Sequence, residues 1–109
     1  MPPGGFLGEF EQMLLLAILQ CRDRANGYEI RKELESSANR TVSKGAFYTT
    51  LDRMEAKGLV TWISRPGSGR STLPQRHFDV TPAGLEELRR SRAALLNLWR
   101  DLDEFAESS

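Results

Sequence analysis

The chain has very little of the chemistry that catalytic and metal sites use. Its 109 residues include one cysteine and one histidine. A single cysteine cannot form an internal disulfide, which excludes the small secreted scaffolds that disulfides hold together. One cysteine and one histidine also cannot supply the three or four nitrogen and sulfur ligands of a typical zinc site. We therefore expect a protein that is not an enzyme and that needs no cofactor.

The sequence also lacks a hydrophobic run long enough for a membrane. The longest apolar run covers residues 13–19, whereas spanning a bilayer takes roughly 20 residues. Glu9 and Glu11 precede this run, in place of the basic region of a signal peptide. The sequence thus predicts a cytoplasmic protein without a membrane partner, and its length suits one domain over residues 1–109.

The whole chain has no net charge, but one segment carries an excess of positive charge. The 15 basic and 15 acidic residues give a formal net charge of zero. Between residues 40 and 77, however, seven Lys or Arg stand against two acidic residues, a local charge of +5. Such segregation indicates a phosphate-binding surface if the segment folds into a suitable shape.

The first 60 residues predict three helices. The first begins at residue 7 or 8 and ends near Cys21; its middle is apolar all round, so it must be covered on two sides. The second follows the Asn26-Gly27 turn and ends near residues 36–37. The third covers residues 44–57, with Ser43 as its cap and Gly58 as the left-handed residue that ends it.

A hairpin and a long helix complete the predicted fold. Residues 60–64 and 76–80 are β-prone, and the stretch between them is rich in Gly and Pro. Thr81 and Pro82 then provide a cap and a first-turn proline for the last helix, which we expect to reach Ala106. The fold class is mainly α (α+β): a disordered arm over residues 1–6, a winged helix-turn-helix with a two-stranded β wing over 7–81, and a C-terminal dimerisation helix over 82–107.

The third helix carries the features of a DNA-reading element. A helix fits the major groove of B-DNA, and its outward face then needs small or polar side chains. On the third helix, an apolar stripe consists of Phe47, Leu51 and Met54. The opposite side carries Gly45, Thr49, Asp52 and Arg53. The basic residues of the helix start and of the hairpin would contact neighbouring phosphates.

Three blocks of sequence resemble the PadR-like family of bacterial winged-helix repressors. They are GYEI at residues 27–30, GAFYTTLDRMEAKGLV at 45–60 and FDVTPAG at 78–84. The resemblance covers nearly the whole chain, and its single last helix is similar to the family's short-tailed branch. It implies DNA contacts from Tyr28, Lys44, Tyr48 and the wing arginines. Together with the residue pattern, it gives the predicted DNA-binding set: Tyr28, Ser43, Lys44, Gly45, Tyr48, Thr49, Arg53, Arg65, Arg70 and Arg76.

The last helix predicts a two-fold dimer. Its apolar residues follow heptad spacing, and burying each large one is favourable by roughly 1.5–3 kcal/mol. The small winged-helix core has only one free side for so long a helix, so we expect the first helix of a partner to cover the rest. The predicted interface consists of Leu14, Leu15, Ile18, Leu95, Leu98, Trp99, Leu102 and Phe105.

Several residues have two interpretations. Trp99 is favoured as a dimer-core anchor, while the resemblance suggests a wall of an effector pocket. Tyr48 either contacts DNA or packs between helices. Cys21 is a small residue at a helix end, or a redox sensor if Arg22 and Arg24 lower its pKa. Trp62 is expected to pack on the core, and His77 to be a plain strand residue or a phosphate contact.

Two functions remain at this point. The favoured one is a dimeric, sequence-specific DNA-binding transcriptional regulator, acting as a repressor on an inverted-repeat operator, with release by a small-molecule effector as a further hypothesis. The alternative is a winged-helix protein–protein interaction module without DNA binding. The segregated charge favours the first function, while the net charge of zero keeps the second open.

Overall fold

A computed structural model describes residues 6–67, 73–102, 104 and 105. The predicted order of elements is confirmed, and helices dominate an α+β fold. A 3₁₀ turn over Arg22–Arg24 follows the first helix. The elements are α1 (Glu9–Cys21), α2 (Gly27–Ala38), α3 (Lys44–Ala56), β1 (Val60–Arg65), β2 (Gln75–Val80) and α4 (Pro82–Trp99).

Local capping explains where three of the helices begin. The Asn26 Oδ1 accepts a hydrogen bond from the Glu29 N–H at 2.8 Å. The predicted caps Ser43 and Thr81 do the same for α3 and α4, at 3.2 and 3.0 Å. Each side-chain oxygen pairs a backbone donor that the first helical turn leaves free. At the end of α3, Gly58 has the predicted left-handed backbone, with φ of 77°.

The core lies where α1, α2 and α3 meet. The predicted inward stripe of α3, Phe47, Leu51 and Met54, is buried. The structure corrects one expectation about α1, because its own chain already covers three side chains that were assigned to a partner. The large apolar side chains that α1 leaves exposed are Leu16 and Leu19. The three covered by their own chain are Leu14, Leu15 and Ile18, each at most 2% exposed.

The wing is tied to the segment that precedes α2. Strands β1 and β2 pair antiparallel, from Val60 opposite Val80 to Arg65 opposite Gln75. On the other edge of β2, the Phe78 N–H donates to the Ala25 carbonyl at 2.9 Å, and Asn26 forms a bridge with His77. This pairing fixes the start of α2 relative to the wing.

Helix α4 uses only its first half for the core. Gly84, Leu88 and Ser91 are buried, and the Ser91 Oγ accepts the Leu7 N–H at 3.1 Å. The helix ends at Trp99, earlier than the predicted Ala106, although residues 102, 104 and 105 are again helical. Of the predicted disordered arm, residues 1–5 lie outside the described residues. No helix in the described part of the chain is long and apolar enough to cross a membrane.

Candidate nucleic-acid interface

A polar groove runs between the start of α2, the outer side of α3 and the base of the wing. It has a volume of about 680 Å³ and holds three cationic side chains against one carboxylate. Four of the predicted DNA-binding residues, Tyr28, Lys44, Tyr48 and Arg76, line it. The full lining is Asn26, Gly27, Tyr28, Arg31, Lys44, Tyr48, Asp52, Pro74, Gln75 and Arg76.

The position of Tyr48 is compatible with both interpretations from the sequence, packing between helices and contact with DNA. Its ring packs edge-on against Phe47, with centroids 5.0 Å apart, and it is half-buried. Its hydroxyl lies directly over Gly27, where an added Cβ would overlap it. Glycine at that position therefore lets the phenol pack between α2 and α3 while it still lines the polar groove.

The outward face of α3 is open at its first turns. Lys44, Gly45 and Thr49 are exposed, and a Cβ at Gly45 would meet no described atom within 4 Å. The Ser43 hydroxyl accepts the Ala46 N–H and so caps the start of α3. Asp52 is also exposed on this face, beside the groove. The surface can thus approach another molecule closely without displacing a bulky side chain.

Arg53 lies on a different side of α3, toward α1. Its Nε is 3.5 Å from the Glu11 Oε2, and the Lys57 Nζ is also 3.5 Å from that oxygen. Burial would raise the pKa of the Glu11 carboxyl, but the Gly8 N–H, Lys57 and Arg53 together lower it below its ordinary value. Glu11 is not among the residues predicted from the sequence, where its only local signal is a position in the first turn of α1.

The wing arginines differ in their surroundings. The Arg76 guanidinium stacks on the Trp62 ring, 4.6 Å from its centroid, and Trp62 packs against the core as predicted. The Arg65 Nη1 donates to the Asp23 carbonyl at 3.2 Å. Arg70 lies outside the described residues. Stacking holds the Arg76 charge in place at the groove, so that little side-chain entropy remains to be given up on binding.

A second groove, the apolar groove, lies on the α1–α4 side of the molecule. Its volume is about 600 Å³. Leu95 and Trp99 of the predicted dimer interface line it, whereas Leu98, Leu102 and Phe105 are exposed but do not line it. The lining residues are Gln12, Leu16, Leu19, Leu85, Leu88, Arg89, Arg92, Leu95, Leu96 and Trp99.

Neither Cys21 nor His77 lines the polar or the apolar groove. Burial raises the pKa of the Cys21 thiol, and Glu33 and Glu29 raise it further against the opposing effect of Arg24. The redox-sensor alternative required Arg22 and Arg24 to lower the pKa of this thiol, whereas the raised pKa disfavours the thiolate. The His77 Nδ1 is buried and has no hydrogen-bond partner among the described residues. Within the described ranges, no group of three His, Cys, Asp or Glu side chains could hold a metal ion.

Comparisons with known proteins agree with this geometry. The sequence pattern described as "Transcriptional regulator PadR-like family" matches residues 15–90. The chain is 36% identical over 80 residues to the transcriptional regulator Rv3488 of Mycobacterium tuberculosis, a match that covers 73% of this chain and 71% of that protein. It is also similar to an uncharacterized 37.1 kDa protein of transposon Tn4556 in Streptomyces fradiae. That match is 34% identical over 87 residues and covers 80% of this chain, but only 23% of the relative's length.

A solved structure shows the same fold. The crystal structure of a PadR-family transcriptional regulator from Eggerthella lenta superposes with a TM-score of 0.69 and 23% sequence identity. The superposition covers 93% of this chain and 88% of that one. The winged helix-turn-helix arrangement predicted from the sequence is therefore confirmed.

Proposed function

Because the chain belongs to the PadR-like family of transcriptional regulators, we propose that it binds double-stranded DNA as a homodimer. In this proposal the polar groove faces the DNA and the apolar groove faces a second copy of the chain. One observation carries the proposal. Arg31, Lys44 and Arg76 gather in one groove beside the open face of α3, although the whole chain has no net charge.

The proposed DNA contacts are of two kinds, those with base edges and those with the phosphate backbone. Gly45 and Thr49 leave room for α3 to approach base edges in the major groove, which is where sequence is read. Lys44, Tyr28 and Tyr48 contact the backbone near the start of α3, and Arg76 contacts phosphates from the wing. Arg65 and Arg70 extend the wing contacts. Arg53 is the exception, since Glu11 holds it on the other flank of α3.

The second copy covers the apolar groove. Leu16, Leu95 and Trp99 are each about half exposed in a single chain, and their burial would be favourable by roughly 1.5–3 kcal/mol for each fully covered side chain. A two-fold arrangement places the same groove of both copies in contact. Leu98, Leu102 and Phe105 then extend the interface beyond the groove along α4.

The two-fold axis of the proposed dimer requires a two-fold symmetric DNA site. We propose an inverted-repeat operator with half-site centres about 10 bp, or a multiple of it, apart, so that both α3 helices enter the major groove from one side. Binding to this operator would repress transcription. A small-molecule effector that contacts Trp99 in the apolar groove would compete with the second copy for that groove. The altered dimer would then release the DNA.

Selection of duplexes from a random pool, followed by gel-shift titration, tests this function. We expect an inverted repeat, and inserting five base pairs between its halves should abolish tight binding because one half-site rotates by about half a turn. A ten-base-pair insertion should restore binding only in part. Selection of a single unrepeated site would contradict the dimer on DNA, and failure to select any duplex would favour a protein-interaction module instead.

A further inference from the structure

One carboxylate on α1 holds two cations, one in α3 and one directly after it. We call Glu11, Arg53 and Lys57 the Glu11 cluster. The Glu11 Oε2 lies 3.5 Å from both the Arg53 Nε and the Lys57 Nζ. Its other oxygen accepts the Gly8 N–H at 2.9 Å. This second contact fixes the carboxylate at the start of α1 and keeps it facing the flank of α3.

The three members of the Glu11 cluster differ in the exposure of their side chains. The Glu11 side chain is only 14% exposed, while Arg53 and Lys57 are each 51% exposed. The carboxylate is thus the fixed member, and the two cations are half exposed on the flank of α3 that faces α1. Glu11 is ionised at neutral pH, and its lowered pKa extends the charged form to more acidic solutions. Protonation would weaken the cluster only below the ordinary value of 4.5.

We propose that Glu11 acts as an internal competitor of DNA phosphate and so limits sequence-independent binding. The proposal rests on the function proposed above. Non-specific affinity grows with the number of phosphates that Lys and Arg neutralise. In the Glu11 cluster one carboxylate occupies two such cations, and a phosphate must displace it to reach either. Glu11 therefore lowers the sequence-independent part of the affinity, while base contacts from the open face of α3 do not depend on it.

Glu9 provides a matched comparison on the same helix. It also lies 3.5 Å from an arginine, Arg40, but its side chain is 76% exposed. Arg40 additionally stacks over the Phe10 ring at 5.2 Å. An exposed pair of this kind contributes little and is readily screened. Removing the Glu9 charge should therefore release no comparable cation, although it changes the net charge by the same amount.

Titration of a mixed-sequence duplex over a range of salt concentrations tests the proposal, with thermal unfolding recorded for each variant. Glu11→Gln keeps an oxygen for the Gly8 N–H and should raise the non-specific affinity about fivefold or more at 0.1 M salt. The slope of log affinity against log salt should steepen by about 0.9 for each new phosphate contact. Glu9→Gln should change both quantities much less. Equal gains for the two variants, or a loss of affinity in Glu11→Gln, would overturn the proposal.

Lys57→Gln keeps the test decisive even if Glu11→Gln folds poorly. With Glu11 present, this change should alter non-specific affinity less than about twofold, because the lysine is already occupied. In the Glu11→Gln background it should remove part of the gain. A large loss from Lys57→Gln alone would show that the lysine contacts DNA freely and would reject the competitor role. Absence of any DNA binding by the unchanged protein would instead refute the proposed function.

Discussion

The polar and apolar grooves are nearly equal in volume, about 680 and 600 Å³, but opposite in chemistry. Arg31, Lys44 and Arg76 line the first, while leucines and Trp99 dominate the second. Interactions between charges weaken as salt rises, whereas burial of apolar surface does not depend on charge. A chain with no net charge can therefore still present one surface suited to phosphate and another suited to its own copy.

The largest effect is expected from Trp99→Asp, which places a charge in the apolar groove. Loss of the apolar contact area of the ring, together with the cost of burying a carboxylate in the interface, should weaken the proposed dimerisation by at least about 100-fold. DNA affinity should fall with it, because one half-site cannot hold the protein as tightly as two. Sedimentation velocity at micromolar concentration measures the change.

Asn97→Asp is the matched control for that experiment. It adds the same charge two residues away, at an exposed position of α4 that does not line the groove. We expect it to leave the dimer intact. A stable monomer for the unchanged protein, or equal dissociation by both variants, would break the assignment of the apolar groove to a second copy.

An intermediate effect is expected from Arg76→Ala in the polar groove. If Arg76 contacts phosphate as proposed, the change removes one such cation from each protomer, so binding should weaken alike for all DNA sequences. The salt slope should flatten by about 0.9 for each phosphate that is no longer neutralised, or about twice that for a dimer. Arg100→Ala removes the same charge from the end of α4 and should leave the slope unchanged. Identical slopes for Arg76→Ala and the unchanged protein would exclude Arg76 from the interface.

The smallest effect is expected from Thr49→Ala on the open face of α3. If Thr49 reads a base edge, its removal should alter the relative affinity for operator variants by about fivefold, or ~1 kcal/mol. Affinity for mixed-sequence DNA should stay nearly the same. Thr61→Ala, at an exposed position of β1, should change neither quantity. Competition gel shifts with single-base operator variants measure the preference, and a uniform loss across all variants would mean that Thr49 contacts only the backbone.

Short-range signals made much of the fold predictable. Ser43 and Thr81 cap helices through bonds to residues only three positions away, and Gly58 ends α3 through its own backbone conformation. The buried stripe of Phe47, Leu51 and Met54 follows from helical spacing alone. Because these features depend on neighbours in the chain, the sequence reveals them without knowledge of the tertiary fold.

Features that depend on distant contacts were not predictable in this way. The all-apolar middle of α1 showed that two sides must be covered, but not that its own chain would cover Leu14, Leu15 and Ile18. Similarly, helical spacing placed Arg53 near the outward face, whereas its ion pair with Glu11 joins two helices far apart in the sequence. The hydrogen bond between β2 and the segment before α2 likewise joins distant parts of the chain. Such pairings arise only when the elements pack together.

An amide chemical-shift titration of ¹⁵N-labelled protein with a duplex tests the two-groove account most directly. The account predicts that the largest shifts fall around Tyr28, on residues 43–49 and on Arg76, all at or beside the polar groove. Amides around Leu16 and Trp99 in the apolar groove should stay unchanged at constant protein concentration. Shifts centred on the apolar groove, or spread evenly over both grooves, would contradict the division of the molecule into a DNA face and a dimer face.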